Sequence, residues 1–437
     1  MRLIEAFLRS AAYERRFLTK NQWDLSMVVW IPLATVLLIW WIFSQTQITD
    51  LPIGIIDQDN SAMANTAVRY LEASPTLTVR QLYYSQAEAE TAILQRDIYA
   101  VVTIPEDFSR HILSNTPAPL TLQVNAQYGT HSGIIQTSVQ AVASTLSAGV
   151  EIQRLLKQGI APSQTATTYA PISIQRISLF NAATNYQQFL ASTVIPALLH
   201  ILAMVVGATT IGRELRDKNI GRWYRFIDTK NPERTSPQYS KTPTAPFTKQ
   251  DSVNNSRDNA TVSSTLRAPQ AVSLSVLLFG LLGKYFWPML AYSVWSAMIL
   301  WLATSNQSIS IASLAVVYAG LLCLMTLSFW LGAIFTLNAF SLRMGLSATG
   351  FISAPSYAFA GVTFPYIAIS DSAQYWSNIL PLTHYLKLHI AQLQMQAPIA
   401  ISLPGVYGLT LAMIIALLLA ALLTKRALAH PERWGAR

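Results

Sequence analysis

Charged residues are scarce in this 437-residue chain, and their scarcity excludes an ordinary soluble protein. Asp, Glu, Lys and Arg make up 12% of the sequence, whereas hydrophobic residues make up 52%; soluble domains average about 25% charged residues. The only cysteine, Cys323, lies in an apolar run, which excludes a disulfide framework and a thiolate metal site. The composition indicates a membrane protein.

Patterns for catalysis are also missing. The sequence contains no GxxxxGK[ST] phosphate loop, so the chain is not expected to hydrolyse ATP alone. It contains no HExxH, no GxSxG and no paired cysteines, and its apolar spans carry no polar cluster of the kind that an integral-membrane enzyme needs. We therefore predict a non-enzymatic chain with no catalytic residue, no cofactor site and no metal site.

The net charge of +9 does not require nucleic acid as a partner. Basic residues gather at the ends of apolar runs, where positive charge is expected on the cytoplasmic side of a membrane. Five precede the first run (Arg2, Arg9, Arg15, Arg16 and Lys20), and Lys425 and Arg426 follow the last one. This pattern places both termini in the cytoplasm and argues against nucleic-acid binding.

Six apolar segments are long enough to cross a bilayer as helices, since about 20 residues span its hydrocarbon core. The first is too far from the N-terminus for a cleaved signal peptide and is interpreted as a retained anchor. The predicted fold class is a polytopic α-helical membrane protein with six transmembrane helices, at residues 25–44, 189–211, 285–304, 311–338, 345–364 and 404–424.

Two further segments are predicted to lie at the membrane surface, and two others to connect or follow the spans. Residues 1–24 carry apolar side chains at helical spacing and are interpreted as a cytoplasmic amphipathic helix, the alternative being a short charged leader. Residues 273–283 are too short to cross and are interpreted as an interfacial approach to the third helix. Residues 365–403 form an external loop and 425–437 a cytoplasmic tail.

The sequence pattern of residues 45–188 is typical of a soluble α/β domain, which is expected to lie outside the cytoplasm. Strands and helices alternate, which favours a mainly parallel sheet that needs no cysteine. Strands are predicted at residues 51–57, 77–83, 98–104, 120–126 and 172–178, and helices at 61–71, 87–95 and 133–158, with Gly159 as a C-cap.

Asp57, Asp59 and Asn60 allow two interpretations. Two carboxylates and an amide within four residues resemble part of a Ca²⁺ loop, but the glycine and the terminal glutamate of that pattern are missing. The alternative, which we favour, is a turn at the end of a strand followed by a helix N-cap.

A basic segment follows the second span and belongs to the cytoplasmic stretch 212–284. Its residues either hold the topology or dock a soluble partner. Within this stretch, residues 228–270 are rich in Ser, Thr, Asn and Pro and are predicted to be disordered, either as a docking tail or as a tolerated loop expansion.

No predicted span contains an acidic residue, so an ion-driven carrier lacks its usual coupling group. His200 is the only clearly titratable side chain deep within a span. It is interpreted as a hydrogen-bonded packing residue, with a proton relay as the alternative. Energy delivered by a partner protein is therefore the natural interpretation.

Six segments of the chain are similar to those of a known family. They are DLPIGIIDQDNS (50–61), NAATNYQQFLASTVIPALL (181–199), IGRELRDKNIG (211–221), LLGKYFWP (281–288), GVTFP (361–365) and LPLTHYLK (380–387). With these segments, the chain resembles permeases of the type 2 ATP-binding-cassette (ABC) exporter family, in the branch with a large extracytoplasmic domain after helix 1. Where that family commonly has a Gly–Thr pair in its coupling segment, this chain has Asn219, Ile220 and Gly221.

The resemblance implies a substrate pathway formed by a dimer of permease subunits, homomeric or heteromeric, in the bacterial cytoplasmic (inner) membrane. Helices 1, 2 and 5 would line it, and the last external loop would hold short re-entrant helices. Separate ATPase subunits would supply the energy, with membrane lipid and a periplasmic adaptor as further candidate partners. The ATPase-coupling residues would be Arg213, Glu214, Arg216, Lys218 and Arg222.

A membrane-anchored receptor or scaffold that binds a partner through the external domain remains the alternative. Six spans that contain Pro32, Pro196, Pro288 and Pro355 fit a moving pathway better than an anchor, which needs one helix.

Overall fold

The structure, a computed structural model, describes residues 2–45, 47–114, 116–159, 180, 185–228, 272–305 and 307–435. The chain forms two compact units: a helical unit of Met1–Ser44 and Asn185–Arg437, and an α/β unit of Gln45–Thr184. The predicted strand 172–178 and almost all of the predicted insert 228–270 lie outside the described residues.

The described elements are named here in chain order. The α/β unit contains all four strands that are described. The order is α1 (Arg2–Lys20), α2 (Gln22–Ile42), β1 (Leu51–Asp57), α3 (Ala62–Glu72), β2 (Leu77–Leu82), α4 (Gln86–Gln95), β3 (Ala100–Ile104), α5 (Phe108–Leu113), β4 (Thr121–Val124), α6 (Gly129–Lys157), α7 (Gln187–Arg216), α8 (Ile220–Asp228), α9 (Leu274–Thr304), α10 (Ile311–Ala339), α11 (Leu342–Ser353), α12 (Ser356–Phe359), α13 (Asp371–Ile379), α14 (Pro381–His389) and α15 (Ile399–Ala429).

Five helices of the described chain are long and apolar enough to cross a membrane: α2, α7, α9, α10 and α15. They overlap the first, second, third, fourth and sixth predicted spans. The segment predicted as the fifth span, 345–364, is not one continuous helix. It is divided into α11 and α12 at Pro355, which has no backbone N–H to donate within a helix.

The broken pair α11–α12 runs along α7. At one end, a Cβ built on Gly212 would lie 2.5 Å from Cδ1 of Leu342. At the other end, the hydroxyls of Tyr357 and Thr193 are hydrogen bonded at 2.9 Å. Gly212 and Thr193 lie 19 positions apart, which corresponds to about 28 Å of helix.

The segment predicted as an interfacial approach is continuous with the third predicted span. Residues 274–304 form the single helix α9, and Lys284 lies within it and is fully buried. The helix continues through Lys284 because acidic partners neutralise its charge, as described below.

Two glycines bring α7 and α10 into backbone contact. A Cβ on Gly207 would lie 2.2 Å from the carbonyl oxygen of Phe329, and one on Gly332 would lie 2.0 Å from that of Met204. No side chain fits at either position, so the two helices pack more closely than larger residues allow. This pair forms the centre of the helical unit.

The α/β unit is built on a four-stranded sheet of order β2-β1-β3-β4. Strand β1 is parallel to β2 and to β3, whereas β4 is antiparallel to β3. The mainly parallel sheet agrees with the sequence-based prediction, and α5 is an element that it missed. Helix α6 begins at Gly129, four residues before the predicted start, and Gly159 adopts the left-handed conformation of a helix C-cap with φ of 84°.

Asp57 and Asp59 serve the turn at the end of β1. The carboxylate of Asp57 accepts hydrogen bonds from the backbone N–H groups of Asp59 and Asn60, and Ser61 caps α3 by accepting from Ala64. Burial raises the pKa of Asp59, but hydrogen bonds from Ser61 and Ser109 outweigh it, so the pKa lies below its usual value. These contacts match the turn interpretation.

Candidate coupling site

The chain leaves α7 through a tight C-terminal turn. The N–H of Asn219 donates to the carbonyl of Glu214 at 2.8 Å, and the N–H of Lys218 donates to that of Leu215 at 3.2 Å. This is the Schellman arrangement, in which one residue adopts a left-handed conformation. Lys218 occupies that position with φ of 55°. Helix α8 begins only two residues later, so no flexible linker separates the two helices.

Arg213 and Glu214, two of the predicted coupling residues, lie in the interior. They are 5% and 3% exposed and take part in a cluster of five charged residues. Arg213 pairs with Glu14 and, at 3.3 Å, with Asp24. Lys284 lies 2.8 Å from Glu214 and 3.3 Å from Glu14. We call Glu14, Asp24, Arg213, Glu214 and Lys284 the charge cluster.

The charge cluster joins four helices. Glu14 belongs to α1, Asp24 to α2, Arg213 and Glu214 to α7, and Lys284 to α9. Two aromatic rings of α1 cover it: the guanidinium carbon of Arg213 lies 3.7 Å from the Phe17 ring centroid, and Lys284 lies 5.0 Å from that of Tyr13. Because buried charges need partners, the cluster ties these helices together.

Helix α8 is held against α1 and the start of α9. The indole N–H of Trp223, a fully buried side chain, donates to the Ser10 hydroxyl at 3.0 Å. Asp228 pairs with Arg2 and accepts from the Tyr224 hydroxyl at 2.9 Å. Burial raises the pKa of Tyr224 to about 12, so this hydroxyl keeps its proton at neutral pH. These contacts therefore fix α8 to α1.

The other three predicted coupling residues face solvent. Arg216, Lys218 and Arg222 are exposed on the α7–α8 turn and the first turns of α8. Arg216 pairs with the neighbouring Asp217 at 2.8 Å, an exposed contact of the kind that stabilises little. Of the five predicted residues, two thus lie in the interior and three lie on the surface.

Sequence reasoning missed Glu14, Asp24 and Lys284 as partners of Arg213 and Glu214. One local signal was available for Glu14, because it lies on the same helical face as the buried Ala6, Ser10 and Leu18. An acid on an otherwise small or apolar stripe needs a cationic partner when that stripe packs. For Lys284, the signal was its position within an unbroken apolar stretch.

His200 lies apart from this site. Its Nδ1 is 2.6 Å from the Ser328 hydroxyl, which in turn donates to the Leu324 carbonyl at 2.6 Å. Because the serine proton is used, Ser328 accepts from the histidine N–H. Within the described residues, His200 thus acts as a hydrogen-bonded packing residue.

Comparison with known proteins points to one family. The family model described as ABC-2 family transporter protein matches residues 23–225, just under half of the chain. The matched range contains almost all of α2, all the described strands, α7 and most of α8. No curated protein matches the chain. The family match and the apolar helices indicate a multi-pass membrane protein that serves as the membrane component of an ABC transporter, beside an ATPase subunit.

Proposed function

We propose that this chain is the permease subunit of an ATP-driven exporter of the type 2 ABC class, powered by separate ATPase subunits. The family match over residues 23–225 supports the class. The sequence contains no phosphate loop, so the ATP-hydrolysing chain must be another protein. The observation that carries the proposal is the rigid connection between the exposed α7–α8 turn and the buried charge cluster.

The two groups of coupling residues have different roles in this proposal. Arg216, Lys218 and Arg222 contact the ATPase, because they are exposed and basic. Arg213 and Glu214 transmit the movement, since their partners lie on α1, α2 and α9. A displacement of the turn then moves these helices together rather than bending one of them.

The pathway belongs between two permease subunits in the cytoplasmic membrane, with both termini in the cytoplasm and the α/β unit outside. Helices α2 and α7 and the pair α11–α12 would line it, as the resemblance to the exporter family implies. Pro196 within α7 and Pro355 between α11 and α12 supply points where these segments can bend.

The test is purification of the tagged full-length chain from its own host in mild detergent. We expect a phosphate-loop ATPase, identified by mass spectrometry, to co-purify, and the complex to hydrolyse ATP. A variant with Arg216, Lys218 and Arg222 each changed to Glu should insert normally but lose the ATPase. Arg110→Glu, an exposed charge reversal on α5 of the α/β unit, is the matched control. A chain that purifies without any ATPase under these conditions would favour the receptor alternative.

A further inference from the structure

The C-terminal tail, His430–Gly435, folds back onto the end of α10. The Gly435 N–H donates to the carbonyl of Phe340 at 3.1 Å, and the Trp434 indole N–H donates to that of Ala427 at 2.6 Å. Gly435 has φ of 71°, a conformation that favours glycine. The tail therefore has a defined position on the helical unit.

The same tail reaches the candidate coupling site. A Cβ built on Gly221 of α8 would lie 3.1 Å from Cη2 of Trp434, so the indole ring lies against the first turn of α8. A Cβ on Gly435 would lie 3.5 Å from the carbonyl oxygens of Leu215 and Arg216. A side chain at Gly221 would press on the Trp434 indole, whereas Gly435 is restricted by its left-handed backbone conformation.

Phe340 is the residue at the end of α10 that contacts the tail. It adopts a left-handed conformation with φ of 53° at the end of α10 and is fully buried, an uncommon combination for a bulky residue. The guanidinium carbons of Arg433 and Arg426 lie 4.3 Å and 5.4 Å from its ring centroid. Their stacking on Phe340 holds both arginine side chains in place while they remain exposed.

The tail and the α7–α8 turn therefore form one basic surface. Exposed cations come from the end of α15, from the tail and from the turn, whereas Asp217 and Glu432 are the exposed acids among the neighbouring described residues. The cations are Arg216, Lys218, Arg222, Lys425, Arg426 and Arg433. Such a surface fits a protein that presents an acidic cleft.

We propose that His430–Gly435 is part of the docking surface for the ATPase subunit, with Arg433 as a contact residue and Trp434 as its anchor. This inference rests on the proposed function, because it names a second part of the same partner's binding surface. It implies that the ATPase contacts the beginning of α8 and the end of the chain at the same time.

Photo-crosslinking from single positions tests the proposal. p-Benzoylphenylalanine is introduced in place of Arg222, Arg433 or, as the control, the exposed Ser308 of the α9–α10 connection. The full-length chain is irradiated in its native membrane, and the adducts are sequenced. We expect positions 222 and 433 to give adducts with the same phosphate-loop ATPase and position 308 to give none with it.

The possible outcomes separate the two proposals. ATPase adducts from position 222 without any from position 433 would overturn the inference about the tail and leave the proposed function standing. Adducts of position 433 with lipid alone would also overturn it. If neither position captures an ATPase, both proposals fail.

Charge variants provide a second measurement with the ATPase so identified. Arg433→Glu should weaken its binding to the permease about tenfold, as reversal of a contact charge does at a basic interface. Glu432→Gln, at the preceding residue of the tail, should not weaken the binding of the ATPase. Trp434→Ala should lower crosslinking from position 433 while crosslinking from position 222 persists. Equal binding by Arg433→Glu and the wild type would contradict the proposal.

Discussion

Lys284 shows how a single charge is accommodated inside an apolar helix. Its ammonium group contacts two carboxylates, from Glu14 and Glu214, and all three side chains are buried. Removing one member of a buried ion pair typically costs about 3–5 kcal/mol, because the remaining charge has lost its partner. Loss of any one member of the charge cluster should therefore destabilise the protein strongly. Loss of a cation together with its carboxylate partner should destabilise it less.

We expect Lys284→Met to destabilise the helical unit by about 3–5 kcal/mol. The double change Lys284→Met with Glu214→Gln should recover part of that loss, because it removes a carboxylate together with its cation. Thermal unfolding of the purified protein in detergent, followed by tryptophan fluorescence, provides the comparison. Lys425→Met, at an exposed position on α15, should unfold like the wild type. Identical losses in the single and double variants would show that Lys284 and Glu214 are not coupled.

The same residues show where sequence reasoning stops. Their types and their helices could be predicted, and Arg213, Glu214 and Lys284 lie near predicted span ends. The contacts could not be predicted, because Glu14 and Lys284 are separated by 270 positions and no local periodicity relates them. Burial of Arg213 and Glu214 follows from the packing of α1, so it could not be read from the α7 segment alone.

At the scale of elements, the helical unit depends on the close contact of α7 with α10. Gly207 and Gly332 each face a backbone carbonyl of the other helix at a distance that excludes a methyl group. Glycine normally weakens a helix by roughly 0.5–1 kcal/mol relative to alanine. At these two positions, the packing that glycine permits outweighs its cost to the helix.

Gly332→Ala should therefore destabilise the protein, although alanine favours helix formation. The added methyl group would meet the Met204 carbonyl, so α7 and α10 must move apart. Gly405→Ala in α15 is the matched control, since no atom lies within 4 Å of a Cβ at that position. We expect the control to be neutral or slightly stabilising. The midpoints of thermal unfolding of both variants decide the matter, and a stabilising Gly332→Ala would contradict the observed packing.

Long elements were predicted well because their signals are contiguous in the sequence. Five apolar runs became long helices, and the strands β1 to β4 lie within predicted strands. Helix α9 begins before the predicted third span, because buried acids neutralise Lys284 and the helix continues through it. The broken pair α11–α12 was predicted as one helix because its apolar character continues through Pro355.

At the scale of the whole molecule, the α/β unit is expected to fold without the helical unit. Its sheet is covered by its own apolar residues, among them the buried Ile53, Ile55 and Val102. Expressed as residues 45–184, it should unfold in a single cooperative urea transition, unchanged by reductant because it contains no cysteine. Circular dichroism and intrinsic fluorescence should give coincident curves. Separate curves would mean that the unit needs the rest of the chain.

The number of membrane crossings depends on the pair α11–α12. The end of α15 lies beside Phe340 at the end of α10, because the tail bonds to it. Helix α15 therefore starts at the opposite end of the helical unit and leads back to the end of α10. Residues 340–399 must first carry the chain from the end of α10 to that opposite end. The path of α11–α12 along α7, from Gly212 to Thr193, covers about 28 Å, close to the roughly 30 Å of a hydrocarbon core.

We therefore expect six crossings, with the pair α11–α12 as a crossing made in two pieces. Single cysteines at Ser372 and Glu432, both exposed, are introduced into a Cys323→Ser background and treated with a membrane-impermeant maleimide. In intact cells, Ser372→Cys should be labelled and Glu432→Cys should not; permeabilised cells should label both. Gln127→Cys in the α/β unit and Arg222→Cys in α8 serve as the outside and inside references. If α11–α12 did not cross, the labels at 372 and 432 would exchange sides. The tail would then lie across the membrane from α8, which is incompatible with the contact between Trp434 and Gly221.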